Sequence, residues 1–133
     1  MELHQHLLPQ NKFDDAAIDR LELLSRHELL PLAEELLTWL QDMNWPIAPR
    51  VAKLLAPYVA YIEGHILQVF ASHDGMWEAG VIGCLLATAT PNSITPALRQ
   101  ELQRIASSPN PGELDSDVHE YAREFLDDLA AAE

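Results

Sequence analysis

Residues Leu37–Ala56, LTWLQDMNWPIAPRVAKLLA, align with residues Leu67–Ala87, LQVFASHDGMWEAGVIGCLLA, at an offset of about 30 residues, within the range of helical-repeat periods. The match sets Leu37 over Leu67, Leu40 over Phe70, Asn44 over Asp74, Val51 over Val81 and Leu55 over Leu85. Each copy reads as an apolar helix, a short polar turn and a second apolar helix. Such a hairpin leaves an apolar face uncovered and has to stack on a neighbour, which is the logic of an alpha-solenoid. Asn44 and Asp74 are residue types that cap helix N-termini, so each is expected to start the second helix of its hairpin.

Helical spacing extends from this pair in both directions. In DDAAIDRLELLS, Ile18, Leu21 and Leu24 recur behind Asp14 and Asp15, which cap a first turn and complement its dipole. Leu29, Leu32, Ala33, Leu36, Leu37 and Leu40 stripe a helix over 28–41, with Pro31 in the first turn, where amides need no intrahelical acceptor. A third helix is expected from Trp45 or Pro46, with Ile47, Val51, Leu54 and Leu55 inward and Pro57 bending or ending it. A fourth spans 59–71 and stops at SHDG. The fifth, 75–88, is apolar nearly all round, as a helix between neighbours should be, and Gly80 and Gly83 let another helix come close. A sixth runs over 95–106 behind Thr95 and Pro96, and SSPNPGELDS follows as a loop. The last, 117–131, turns Val118, Tyr121, Ala122, Phe125, Leu126 and Leu129 inward, with Asp117 and Glu120 as a variant capping box. No alternating segment competes for a strand. The expected fold is all-α: a short HEAT- or armadillo-like superhelix of about seven helices, with an irregular helical bundle as the alternative.

A chain of 133 residues fits one domain over 1–133, and 48% hydrophobic against 22% charged residues supplies a packed core. Residues 1–12 read as a loosely ordered N-terminus. Apolar runs stop short of the roughly 20 residues a bilayer helix needs, and MELHQHLLPQNK lacks a basic-then-apolar leader, so a soluble, cytoplasmic protein is expected. The single cysteine, Cys84, excludes an intrachain disulfide and reads as a buried free thiol. Eight Lys plus Arg against 21 Asp plus Glu give a net charge of -13, a field that repels nucleic acid and anionic membranes and steers basic partners inward. Between Glu113 and Glu133 the only basic residue is Arg123.

The run WLQDMNWP, preceded by LPQNKFDDAAIDRLELL and followed by DGMW and ELQRIASSPNPGE, resembles the largely bacterial family known as domain of unknown function 5071. The resemblance spans nearly the whole chain, and QDMNWP is its specific core. It implies a small, helical, HEAT-like protein without an established activity. Similar members carry a Lys and aromatic residues after the tryptophan of the second turn, where this chain follows Trp77 with Glu78, Ala79 and Gly80.

Motifs of chemistry are missing. Six histidines, His4, His6, His27, His65, His73 and His119, form no HExxH or two-His-plus-carboxylate helical spacing, so no metal or cofactor is expected. Cys84 lies in the most apolar helix, away from the cations that make a thiolate, and no GxSxG occurs. Adjacent acids such as Glu34 and Glu35 point about 100 degrees apart on a helix and form no catalytic dyad.

What remains is the ridge of turns: Asp42, Asn44, Trp45, Arg50 and Lys53 in the first hairpin, Asp74, Trp77 and Glu78 in the second. Trp45 either staples the helix entry or stands out as an interface anchor; Trp39 and Trp77 read as core. Arg50 and Lys53 flank the apolar stripe, placed to pair with neighbouring acids. The function expected of this surface is non-enzymatic binding of another protein, with masking of a basic toxin by an immunity- or antitoxin-like protein as one concrete form. The competing reading is an enzyme or small-molecule binder with a pocket by the 42–45 and 73–78 turns, and self-association as a homo-oligomer is a third.

Overall fold

A computed structural model describes residues 6–133, and every regular element within them is helical. His4 and the first part of the N-terminal segment lie outside the described residues. Helix α1 spans Asp15–Leu21, and the Asp14 carboxylate caps it by accepting the Ala17 N–H at 3.2 Å. The Gln10 N–H, donating to the same carboxylate at 2.9 Å, lowers its pKa. Leu8 is buried against the core, and the Lys12 carbonyl accepts the Ile47 N–H at 3.2 Å.

The first half of the leading hairpin is segmented. Helix α2, Arg26–Leu29, begins at a Ser25–Glu28 capping box; a 3-10 turn over Leu30–Leu32, helix α3 over Ala33–Leu37 and a second 3-10 turn over Thr38–Leu40 follow. The single helix expected over 28–41 is thus interrupted where Pro31 enters the 3-10 turn, a tighter winding used in short pieces. Helix α4 spans Ala48–Leu55 and ends in a 3-10 turn, Ala56–Tyr58, built on Pro57. The second hairpin consists of α5, Glu63–Phe70, and α6, Gly75–Gly80, which runs on as a π-helix over Val81–Leu86. A 3-10 turn, Pro91–Ser93, leads to α7, Pro96–Ser107, which starts where Thr95 Oγ1 accepts the Leu98 N–H at 3.2 Å.

Two expectations at the C-terminal end need correction. The segment read as a loop contains helix α8, Pro111–Asp115. Asn110 caps it and Glu113 reaches back to the Asn110 N–H, both at 2.8 Å, a capping box with Pro in the favoured first position. Asp117, expected to cap α9, Val118–Ala132, sits in the left-handed region at φ 57° and makes no side-chain cap. It closes the tight turn out of α8, its N–H donating to the Leu114 carbonyl at 3.2 Å, in a conformation unlike the extended one that an N-cap residue takes.

The core joins Leu36, Leu40, Ile47, Val51, Leu55, Ile66, Phe70, Ile82 and Leu85, all essentially without exposure. Helix α4 lies along the π-helical segment 81–86, so the second helices of the two hairpins pack together. Arg99 meets Glu133 at 2.7 Å and Arg123 meets the Ala106 carbonyl at 3.0 Å, which makes α7 and α9 antiparallel. Gly80 is required where α6 crosses the first hairpin, since a Cβ there would collide with the Leu40 carbonyl oxygen. Gly83 faces Tyr121 and Met43, whose side-chain ends would lie 3.2 and 3.3 Å from an added Cβ. No helix among the described residues is long and apolar enough to cross a membrane.

Candidate functional site

The ridge of turns is partly assembled. The Asn44 N–H donates to Asp42 Oδ1 at 2.9 Å, a local Asx turn, while α4 starts only at Ala48 and takes no side-chain cap. Asn44 is therefore exposed and caps nothing, contrary to expectation, because Pro46 and Pro49 delay the helix beyond its reach. Asp74 does cap its helix, accepting the Trp77 N–H at 3.2 Å. Trp45 is half-buried and packs edge-on against Trp39, ring centres 5.7 Å apart and planes 64° apart, so it staples the turn. Trp77 is half-buried as well, and its indole N–H donates to the Leu37 carbonyl at 2.9 Å, pinning the second hairpin to the first.

Arg50 is engaged with α1. Its guanidinium meets Asp15 at 3.2 Å, Asp19 at 2.8 Å and Glu22 at 3.3 Å, tying α4 to α1, and hydrogen bonding to Asp19 and Asp15 raises its pKa further. Lys53 is exposed on α4. Between the turns lies a hollow of about 220 Å³ lined by Asp42, Met43, Asn44, Met76, Ala79, Ser116 and Tyr121.

Glu78 is not at this surface. Expected on the ridge, it is wholly buried, turned inward where α6 packs against α8 and α9. There it faces Glu113, equally buried, which takes a bidentate pair from Arg104 at 3.0 and 2.8 Å, while Arg104 Nε also meets Glu101 at 2.9 Å. Among the described residues no donor reaches either Glu78 oxygen. Burial pushes the Glu78 carboxyl up to about 9, and the adjacent Glu113 carboxylate adds to the rise. Burial would also raise Glu113, but the Arg104 hydrogen bonds and the proton on Glu78 outweigh it and hold Glu113 down to about 2. The pair therefore shares one proton, which favours Glu78.

A larger groove, about 290 Å³, lies between the segment 82–91 and α9. Ile82, Leu86, Phe125 and Leu129 line it with Tyr121, Glu124 and Asp128. Tyr121 was expected inside; it is 36% exposed and touches both the groove and the hollow, its hydroxyl 3.8 Å from Met43 Sδ. The groove's residues run from Ile82 to Ala132 with no motif among them, and only the acidic C-terminal bias hinted at its rim. At the start of α9, Asp117, His119 and Glu120 bring ligand-type atoms within 4.8 Å of one another, a grouping common on acidic surfaces. Burial pushes the Cys84 thiol up, away from thiolate chemistry.

With this geometry in view, the family model for domain of unknown function 5071 (DUF5071) matches residues 7–126. The chain belongs to the DUF5071 family. No curated protein matches it significantly. The matched range contains both hairpins, the buried Glu78–Glu113–Arg104 cluster and the groove lining as far as Phe125, while Asp128, Leu129 and Ala132 lie beyond it.

Proposed function

We propose that this DUF5071 domain is a non-catalytic interaction module, a short HEAT-like superhelix that binds a basic polypeptide. The observation that carries the reading is the groove beside α9, an apolar floor edged by Glu124 and Asp128 with no basic residue among the described residues that line it. The arginines of this end are engaged elsewhere: Arg104 with Glu101 and Glu113, Arg99 with Glu133, Arg123 with the Ala106 carbonyl. An overall charge of -13 would draw a cationic partner towards that edge. The HEAT-like form is supported by the repeat of buried positions, Leu40 with Phe70, Val51 with Val81 and Leu55 with Leu85, and by the contact between the two second helices. A cytoplasmic setting suits the lone thiol of Cys84, and masking of a basic toxin is one form such binding would take.

Catalysis has weaker support. The carboxyl pair whose pKa values are driven apart, the usual mark of an acid–base site, is sealed from solvent, so no substrate reaches it. Affinity capture from the native host at low salt, with wild-type protein and with Glu124→Lys/Asp128→Lys, tests the proposal. The expected result is a stoichiometric basic protein held by the wild type and released by the double substitution or by salt. Absence of any stoichiometric partner, or equal retention by the variant, would sink it.

A further inference from the structure

Resting on that reading, we infer that the occupant of the groove is an amphipathic helix of the partner, laid along α9 with its apolar face down and its Lys or Arg residues against Glu124 and Asp128. The α9 residues at the groove recur as 121, 124, 125, 128, 129 and 132, the stripe of one face over three turns. That is a straight trough of about 16 Å at 1.5 Å per residue, matching the i, i+3, i+4, i+7 anchors of a docked helix. Glu124 and Asp128 lie one turn apart, about 6 Å along the axis, the same spacing as cations at i and i+4 on a helix running beside it. Both are exposed, and among the described residues neither has an ion pair.

The fold disfavours the other ways of seating a peptide. Strand addition needs a free sheet edge, and no strand exists among the described residues. Phosphorylated or acidic segments meet carboxylates at the rim. A proline-rich segment needs a groove of aromatic ridges, whereas Ile82, Leu86 and Leu129 make the floor mainly aliphatic. At about 290 Å³ the groove is also at the lower limit of the roughly 300–1,000 Å³ typical of small-molecule pockets.

The test is titration with labelled peptides of about 18 residues, long enough for helix formation once docked. One carries Leu at i, i+3, i+4 and i+7 with Lys elsewhere; a second scrambles that composition; a third keeps the spacing with Glu for Lys. Binding is followed by anisotropy and helicity by circular dichroism. The expected result is that the periodic Leu/Lys peptide binds and gains helicity. Glu124→Lys/Asp128→Lys should weaken it roughly tenfold or more and admit the Leu/Glu peptide instead. Ala87→Trp, which fills the exposed wall without changing charge, should weaken it too. Equal binding of the scrambled peptide, or binding without gained helicity, overturns the docked helix and leaves the acidic module standing. Tight binding of a small cationic amphiphile such as dodecylamine with none of the peptide overturns both, as does failure of every cationic probe to bind.

Discussion

At the scale of single residues the sharpest feature is Glu78, a carboxylic acid kept neutral inside an acidic protein. Its folded pKa lies near 9 against an ordinary 4.5, so between those values the folded state holds one proton more than the unfolded chain. Stability from this group is complete below about pH 4.5 and declines as pH rises through the window, by at most ~1.4 kcal/mol per pH unit. Glu113 acts in the opposite sense: its depressed pKa contributes stability above its unfolded value that is lost as pH falls towards 2. Melting curves should therefore show the wild type losing stability from pH 5 to pH 8 and Glu78→Gln, which keeps the shape and needs no proton, nearly flat over that range. An unchanged slope in Glu78→Gln would show that the pair is not the titrating element. Arg104→Met removes the cation from a buried Glu113 and should cost about 2–3 kcal/mol, less than for a fully enclosed pair because Arg104 is 35% exposed.

At the scale of elements, turns and crossings separate residues that look alike in sequence. Asn44 and Asp74 occupy equivalent places in the repeat, yet only Asp74 caps a helix. Asp74→Ala should lower unfolding free energy by about 1 kcal/mol and Asn44→Ala by less than about 0.5 kcal/mol, measured by denaturant titration. Two glycines divide in the same way. Among the described residues nothing lies within 4 Å of an added Cβ at Gly64 in the first turn of α5, so Gly64→Ala should stabilise by about 0.4–1 kcal/mol. Gly80→Ala meets the Leu40 backbone and should destabilise by at least ~1–3 kcal/mol, since a carbonyl in a packed crossing cannot step aside as a side-chain tip can.

At the scale of the molecule, a charge of -13 with the C-terminal arginines already engaged makes self-repulsion and partner attraction two sides of one field. Raising ionic strength from about 20 mM to about 300 mM shortens the Debye length severalfold. The melting temperature should rise as Glu124, Asp127, Asp128 and their neighbours repel less, while affinity for a basic partner falls. A partner whose binding is insensitive to salt would not be using this field.

Helix content, the paired hairpins, Asp14, Thr95 and Asp74 as caps and the close approach at Gly80 were all legible in the chain, because helical period, capping chemistry and missing side chains act over a few residues. Helix α8 was not legible: Asn110, Pro111 and Glu113 stand at capping-box spacing, but the surrounding Pro, Gly and Ser read as a loop. Glu78 could not be placed from its neighbours. Its burial depends on Glu113 and Arg104, 35 and 26 positions away, arriving on α8 and α7. Nor could the groove, whose walls come from two helices and whose exposed Tyr121 lies on the stripe that local periodicity assigns to the core. Local sequence determined which segments coil and where they stop. Which carboxylate is buried with a proton and which stands at the rim of a groove is set by desolvation and charge pairing between helices, and those exist only once the helices have packed.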